Sequence, residues 1–329
     1  MQVTYDNIIY SLQKVGGISV VWSEMLKRAC ADPELAVRLL EYPHENVFRA
    51  QLQIPEELIE RLPMRRMERY RSPQLNLTEP TIFHSSYFRI CTNPMAHNVT
   101  TVHDLTYHFY RKGLPRAVHL WEEKRALAHS EAIICISQNT KKDLLRFYPR
   151  IPEEKVHVIY NGVSDDFYPM PSVPKKGYLL FVGNSFTEYK RYDVAQEVAR
   201  LTGLELKTVT KVSGEQLNTL YNEALCLLYP SDYEGFGLPI LEAQKAGCPV
   251  IAQRFSSVPE VIGANGLMVA HDTPKRMAQA MAEVVKELLS RPTDSIIAEG
   301  IKNAERFSWD NTYAQTKQVY ENIYNNDYL

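Results

Sequence analysis

The sequence has no apolar run long enough to cross a bilayer, and it has very little net charge. Its 329 residues carry 37 Lys and Arg against 39 Asp and Glu, which gives a formal charge of −2. A nearly neutral chain has no overall field that would attract nucleic acid, so we expect no nucleic-acid partner. We also identify no secretory signal peptide at its start. These absences predict a cytoplasmic protein, either soluble or peripheral on the cytoplasmic face of the membrane.

The cysteines lack the paired spacing of a metal or redox site. There are five of them, Cys30, Cys91, Cys135, Cys226 and Cys248. Two of these lie inside apolar, strand-like runs, where a cysteine usually acts as a small core residue. The chain also has no Asp-x-Asp pair beside the candidate site described below. We therefore expect no metal ion.

The length of the chain predicts two domains of ordinary size. Apolar, strand-like runs alternate with helical segments along most of the sequence, which is typical of parallel sheets. A proline-rich stretch at 168–177 interrupts the alternation and predicts an interdomain linker. We therefore place one domain at 1–167 and a second at 178–305.

The most informative stretch runs from Tyr229 to Pro249 and reads YPSDYEGFGLPILEAQKAGCP. An apolar run at 225–229 leads into it, as a buried parallel strand does. Gly235 and Gly237 form a loop before Pro239, which suits a first helical position. The pattern predicts a strand, a glycine loop and a helix. Such a unit directs free backbone N–H groups and the positive end of the helix at an anion.

Two carboxylates, Glu234 and Glu242, flank this predicted anion site. A carboxylate repels phosphate, but it is a good acceptor for sugar hydroxyls. Phosphate donors between two hydroxyl acceptors predict a nucleotide-sugar. In the alternative interpretation Glu242 only interacts with the positive end of the helix dipole, and such an interaction stabilises a helix by roughly 0.3–1 kcal/mol.

The string SDYEGFGLPILEA at 231–243 resembles the E-x7-E segment of the family 4 glycosyltransferases. The strings SQNTKKDLLRFYP and VIYNGVSDDFYP are similar to the end of the first domain in that family. The opening of the chain, from Tyr5 to Ser19, is similar to bacterial surface-polysaccharide members such as O-antigen mannosyltransferases.

The resemblance implies the GT-B fold, an α/β architecture of two facing Rossmann-like domains with parallel sheets. Residues 1–167 would form the acceptor-side domain, and 178–305 the domain that binds the nucleotide-sugar. Residues 306–329 are similar to the family's final helix, which returns to the first domain.

The resemblance also implies roles for individual residues. Glu234 would hold hydroxyls of the transferred sugar, and Glu242 the ribose hydroxyls. Lys190 and backbone amides would neutralise the leaving diphosphate, and such stabilisation of developing charge involves roughly 3–4 kcal/mol per strong donor. The amides belong to Gly235, Phe236, Gly237 and Leu238.

The sequence does not decide which of two neighbouring residues, Lys190 or Arg191, binds the phosphate. Lys190 and Arg191 follow a predicted strand at 178–182, and Lys190 matches a lysine of the family. The family's arginine is missing, since asparagine, serine and phenylalanine occupy 184–186. Arg191 is the alternative ligand, and a third interpretation is an ordinary exposed basic pair.

The first domain contributes two further candidates. Gly16 and Gly17 precede a helical pattern and resemble the family's donor-facing Gly-Gly loop, although two glycines before a helix are more often a tight turn. His103 and Asp104 follow a strand and match the family's His-Asp loop beside the reacting sugar. The alternatives are a packed histidine and an aspartate that caps a turn.

Residues 56–71 contain five arginines with apolar residues between them, namely Arg61, Arg65, Arg66, Arg69 and Arg71. We predict a solvated helix broken at Pro63. The functional alternative is a basic, amphipathic surface for phospholipid headgroups or a pyrophosphate-linked lipid acceptor.

We therefore expect a retaining, metal-independent hexosyltransferase of polysaccharide biosynthesis. It would move a hexose from a nucleotide-sugar, with GDP-mannose as the first donor to test, to a glycan or lipid-linked saccharide. The nucleotide-sugar is a substrate, so no cofactor is expected. Two alternatives stay open, a nucleotide-sugar epimerase on the same fold and a non-catalytic subunit that binds nucleotide-sugars.

Overall fold

A computed structural model describes residues 1–210 and 212–326 of the chain. The chain forms two compact units, one made of Met1–Asn161 with the segment from Trp309 onward, the other of Gly162–Ser308. The first boundary falls ahead of the proline-rich stretch at 168–177. In that stretch the Tyr168 N–H donates to Asn218 at 3.1 Å, and the Met170 N–H donates to Asn222 at 2.6 Å. The proline-rich stretch is thus bound to the second unit.

The first unit is built on a parallel sheet, with seven strands among the described residues in the order β3-β2-β1-β4-β5-β6-β7. The strands are β1 (Gln2–Asp6), β2 (Ala36–Glu41), β3 (Ile59–Arg61), β4 (Thr81–Ser85), β5 (Ala96–Val102), β6 (Ala132–Cys135) and β7 (Val156–Val158). The helices are α1 (Ile9–Leu12), α2 (Gly17–Ala29), α3 (Val47–Gln51), α4 (Thr106–Tyr110), α5 (Gly113–His129) and α6 (Gln138–Phe147). The predicted alternation of strands and helices is confirmed.

Central strands of this sheet are buried on both faces, which explains their continuous apolar runs. Val3 and Tyr5 on β1 are 1% and 0% exposed, and they pack in one core with Trp22 and Leu26 of α2. Ser137 caps α6 by accepting the backbone N–H of Thr140.

The predicted helix over 56–71 is wrong. This stretch forms short 3-10 turns at Glu56–Leu58 and Glu68–Tyr70 around strand β3. β3 joins the edge of the sheet beside β2, so sheet pairing overrides the helical pattern. The arginines also differ from one another, because Arg61 pairs with Glu56 on the surface while Arg69 pairs with the buried Glu122 at 3.0 Å.

The second unit has a parallel sheet of five strands within its described part, in the order β12-β11-β10-β8-β9. The strands are β8 (Leu179–Val182), β9 (Leu206–Val209), β10 (Cys226–Tyr229), β11 (Val250–Gln253) and β12 (Leu267–Val269). The helices are α7 (Tyr192–Thr202), α8 (Gly214–Glu223), α9 (Leu238–Lys245), α10 (Val258–Ile262), α11 (Pro274–Ser290) and α12 (Asp294–Ala304). The helix α12 was not predicted from the sequence.

The strand order of the second sheet reverses between β8 and β10. From β8 the chain moves outward to β9, and it then returns to place β10 on the other side of β8. The loops that follow β8 and β10 therefore lead away in opposite directions, and they leave a crevice at the carboxyl ends of the strands. The first of these loops carries Lys190, and the second carries Glu234.

The last helix, α13 (Trp309–Asn326), packs on the first unit. Its Tyr320 is fully buried, and the Tyr320 hydroxyl lies 2.5 Å from Nδ1 of His84 on β4. Tyr313 donates to Asp32 at 2.7 Å. The expected return of this helix to the first domain is confirmed, although residues 327–329 of the predicted segment lie outside the described residues.

Across residues 1–210 and 212–326, no helix combines the length and the apolar character needed to span a bilayer.

Candidate functional site

The centre of the candidate site is an ion pair between the two loops of the second unit's crevice. Lys190 Nζ lies 2.5 Å from Oε1 of Glu234, and these side chains are 19% and 13% exposed. Lys190 ends a 3-10 turn, Glu188–Lys190, that follows β8. Its ammonium group also lies 5.7 Å from the ring centroid of Tyr229, the last residue of β10. The structure thus joins the cation and the first carboxylate that the sequence indicated.

A glycine with a left-handed backbone leads from this loop into α9. Gly237 has φ = 111° and stands directly before Leu238, where the helix begins. A Cβ atom at this glycine would lie 3.1 Å from Cδ1 of Ile240, closer than most side chains tolerate. The helix has Pro239 in its first turn, as predicted. The first turn of α9, with the backbone N–H of Leu238, therefore follows directly on the loop that carries Glu234.

Two serines that the sequence analysis did not select fix the glycine loop. Ser256 Oγ donates to the carbonyl oxygen of Glu234 at 2.6 Å. Ser257 Oγ donates to the same carbonyl at 2.9 Å and to that of Phe236 at 2.8 Å. Phe236 is buried and meets Phe307 edge to face. These contacts fix the backbone of the loop. The two serines lie more than 20 residues after the loop in sequence, so no local pattern indicated the contacts.

Glu242 lies on α9, where it accepts the hydroxyl of Tyr221 on α8 at 3.0 Å. Burial raises the pKa of Glu242 to about 7. Burial together with the charges of Glu234 and Glu242 also raises the pKa of Tyr229 well above its ordinary value. Glu234 lies in the loop before α9 and Glu242 lies on α9 itself, so one strand-loop-helix unit carries both carboxylates.

Arg191 is already occupied by two carboxylates. Its guanidinium makes a two-pronged contact with Asp193, at 3.0 and 2.6 Å, and reaches Asp232 at 3.4 Å. The residue has a left-handed backbone, with φ = 54°, at the start of α7. Its neighbour Lys190 is the cation that contacts a motif carboxylate.

The glycine pair of the first unit opens α2. Gly16 is extended, with φ = 175°, and Gly17 is the first residue of the helix. Polar side chains around the turn bind one another, since the Asn46 amide donates to the carbonyl of Gln13 at 2.7 Å and to Ser19 Oγ at 2.9 Å. The polar side chains at this helix start thus bind other groups of the protein.

His103 and Asp104 follow β5 in the first unit. Burial lowers the pKa of His103 to about 4, so its imidazole is neutral at pH 7. Asp104 Oδ1 accepts the backbone N–H of Thr106 at 2.9 Å, the capping role that the sequence left open. His84 uses both ring nitrogens inside the core, on Tyr320 and Thr101.

The described residues contain no group of three or more His, Cys, Asp or Glu side chains placed to hold a metal ion.

Two family models match this chain over consecutive regions. The model described as Glycosyltransferase Family 4 matches residues 15–167, and the model described as Glycosyl transferases group 1 matches residues 169–287. The first match covers most of the first unit, and the second contains the Lys190–Glu234 pair and α9.

Individual proteins agree with the family models. The chain is 26% identical over 286 residues to the O-antigen chain mannosyltransferase B of Escherichia coli, covering 73% of this chain and 74% of that enzyme. Its fold is similar to that of sucrose-phosphate synthase from Thermosynechococcus elongatus, with a TM-score of 0.72 at 17% identity over 98% of this chain and 99% of the other. It is also similar to Anabaena HepE in complex with UDP-glucose, with a TM-score of 0.70 at 15% identity over 98% and 100% of the two chains.

The two Rossmann-like units, the site at the switch point of the second sheet and the two matched regions agree with one another: this chain belongs to the family 4 glycosyltransferases and has the GT-B fold.

Proposed function

We propose that the protein is a retaining glycosyltransferase that moves a hexose from a nucleotide-sugar to a glycan or a lipid-linked saccharide. The observation that carries this proposal is the ion pair of Lys190 and Glu234, at the loop that leads into the start of α9. The ammonium and the amides suit a diphosphate, and the carboxylate suits sugar hydroxyls. Both chemistries meet within one crevice.

In this proposal the leaving diphosphate competes with Glu234 for Lys190. The diphosphate gains negative charge as the bond to the sugar breaks, so the ammonium stabilises the transition state more than the bound donor. Glu234 then becomes an acceptor for hydroxyls of the transferred sugar. The amides of Gly235, Phe236, Gly237 and Leu238 add donors that are already fixed by Ser256 and Ser257.

Glu242 is the proposed acceptor for the ribose hydroxyls. Tyr221 occupies one of its oxygens, which orients the carboxylate and leaves acceptor capacity on the other. In the first unit, we propose that neutral His103 faces the reacting sugar and that the Gly16–Gly17 turn contacts the donor. These roles rest on the family to which the chain belongs.

The similar proteins suggest which donors to test first. The Escherichia coli relative is named a mannosyltransferase, and the Anabaena structure contains UDP-glucose. We propose GDP-mannose as the preferred donor and UDP-glucose as the comparison. The acceptor would be a saccharide of the kind that polysaccharide synthesis extends.

The test is release of nucleoside diphosphate from GDP-mannose and UDP-glucose by the full chain, with and without saccharide acceptors. The expected result is acceptor-dependent release that Glu234→Gln reduces by at least a hundredfold, while Glu287→Gln on the exposed surface of α11 has no effect. NMR of the product should show the anomeric configuration of the donor. An inverted product would contradict the retaining mechanism.

The same experiment separates the alternatives. An epimerase would convert the donor without any acceptor, and a binding subunit would bind the donor without turnover. Excess chelator should leave the transfer rate unchanged, because Lys190 and amides neutralise the diphosphate in this proposal. Complete loss of transfer on chelation, restored by magnesium or manganese, would contradict that assignment.

A further inference from the structure

Helix α5 in the first unit exposes a face that combines apolar and basic side chains. Leu114 and Trp121 are 76% and 55% exposed, and their separation of seven residues places them on the same face of the helix. Lys124 is exposed one turn further on. The Arg125 guanidinium carbon lies 5.7 Å from the ring centroid of Trp121. Tryptophan is enriched at protein and membrane interfaces, because its ring is apolar and its N–H is polar.

The negative charges of α5 are directed into the protein. Glu122 and Glu123, the acidic residues of this helix, are 2% and 0% exposed. Glu122 accepts from Arg69 at 3.0 Å, and Glu123 pairs with His108 at 2.9 Å. The outer face of α5 is therefore left with cations only.

The arginine-rich stretch lies against the same helix. Arg125 donates to Ser72 Oγ at 2.5 Å and to the carbonyl of Tyr70 at 3.4 Å, and Arg69 bonds Glu122. Immediately before this turn, the two methionines at 64 and 67 are 41% and 61% exposed. Arg65 and Arg66 between them are exposed, and within the described residues neither forms an ion pair. We call the combined surface the basic-apolar face; its members are Met64, Arg65, Arg66, Met67, Leu114, Trp121, Lys124 and Arg125.

We propose that the basic-apolar face docks the protein on the surface of an anionic lipid bilayer. The whole chain carries a net charge of −2, so the attraction is local to this face. Its cations match lipid phosphates, and its apolar side chains match the boundary between headgroups and acyl chains, where tryptophan is favoured. An acidic protein surface would satisfy the cations but would leave Leu114 and the methionines without a partner.

The first experiment is co-sedimentation of the full chain with vesicles of phosphatidylglycerol and phosphatidylcholine, compared with pure phosphatidylcholine. We expect binding to the anionic vesicles that salt weakens. Changing Arg65, Arg66 and Lys124 to Gln should lower partitioning into the vesicles on the order of a hundredfold. Each basic residue near an anionic surface raises the partition coefficient by a similar factor, and the three factors multiply. Arg69 is kept, because its removal would leave the buried Glu122 unpaired.

The second experiment uses the fluorescence of the one tryptophan on this face. The chain has three tryptophans, and Trp22 and Trp309 are 2% and 4% exposed. Emission should shift to shorter wavelength when anionic vesicles are added, and Trp121→Phe should abolish the shift while sedimentation persists. Leu114→Ala with Trp121→Ala should weaken sedimentation by tenfold or more. The matched control, Leu289→Ala with Lys275→Gln on α11, should bind as wild type does.

Three results would overturn the proposal. They are no sedimentation with anionic vesicles at low salt, sedimentation without any shift in tryptophan emission, and an emission shift with a soluble polyanion such as heparin but not with vesicles. Transfer to a soluble acceptor is measured on the same variants. It should be unchanged, so a failure of membrane docking is distinguishable from a failure of the proposed enzymatic activity.

Discussion

The glycine turns that open α2 and α9 differ in the groups around them. At the start of α2, Gly16 is extended, and no described atom lies within 4 Å of a Cβ placed on Gly17. At the start of α9, Gly237 has φ = 111°, and its Cβ would press on Ile240. At the first turn amides and hydroxyls bind one another, and the Lys14–Glu45 pair lies on the surface nearby. The second turn lies beside the Lys190–Glu234 pair, with Glu242 on its helix.

The difference shows why a glycine pattern alone predicts little. At α2 a Cβ on Gly16 would meet the end of the Gln13 side chain, which can move, and the polar side chains bind one another. At α9 the positive φ of Gly237 strains any side chain, and Lys190 pairs with Glu234 at 2.5 Å. A ligand site is thus indicated by restriction of the backbone together with nearby charges. Variants of the charged residues and of the glycines at the two turns test this contrast.

The strongest contrast is between the lysines near the two turns. Lys190→Ala should lower kcat by roughly a hundredfold to a thousandfold, the usual cost of one transition-state donor, with a smaller change in donor affinity. Lys14, which precedes the first turn, has a side chain 66% exposed and pairs with Glu45 on the surface. Lys14→Ala should stay within about twofold of wild type in steady-state kinetics.

Arg191→Ala is the control within the second site. Because Asp193 and Asp232 already bind its guanidinium, we expect a loss much smaller than that of Lys190→Ala. Equal, mild losses in both variants would show that neither residue binds the diphosphate.

Glu242 should make donor binding depend on pH near neutrality. Its raised pKa of about 7 means that the carboxylate form increases as the pH rises through 7, so donor affinity should increase over the same range. Glu242→Gln should weaken binding by about tenfold to a hundredfold and remove that pH step, as measured by calorimetry. An unchanged affinity in a folded variant would exclude Glu242 from the site.

Donor affinity should increase with pH through Glu242, whereas the stability of the fold should decrease. A carboxyl with a raised pKa stabilises the fold in its protonated form, and this contribution is lost as the pH rises from about 4.5 to about 7. Glu242→Gln should therefore raise the free energy of unfolding at pH 8, by up to about 3 kcal/mol. Denaturant unfolding at pH 5 and pH 8 gives the comparison, and the gain should be confined to the higher pH.

The smallest contrast is between the glycines themselves. Gly237→Ala should destabilise the protein by roughly 1–2 kcal/mol, because an L-residue is strained at this φ. Gly17→Ala should be neutral or stabilising by up to about 1 kcal/mol, since alanine favours a helix more than glycine does. Thermal unfolding of both variants measures the difference, and equal losses would contradict it.

Most of the fold could be predicted from the sequence because local patterns and tertiary packing agree there. The apolar runs at β8 and β10 and the proline at the start of α9 predicted their elements. The helix predicted over 56–71 was wrong because part of this stretch pairs with β2 as the edge strand β3. A short strand at a sheet edge depends on its neighbour, and the neighbour is not visible in a local window.

The candidate site was predictable to a similar extent. Glu234, Glu242 and Lys190 were indicated by residue type and spacing, and Lys190 and Glu234 meet in the structure. Tyr221, Ser256 and Ser257 were missed, because each reaches the motif from another part of the chain. The contrast between Lys190 and Arg191 was also invisible in the sequence, since it depends on where Asp193 and Asp232 lie.

The place of α13 has a consequence for how the protein is made on the ribosome. The first unit consists of two separate segments, and the whole second unit is translated between them. The second unit can therefore fold as soon as it emerges, whereas the first must wait for a helix that is synthesised after the second unit. Until then His84 and Tyr5 lack Tyr320 as a neighbour, since the contact between His84 and Tyr320 spans 236 residues. A nascent chain stalled before Trp309 thus exposes part of the core of its first unit.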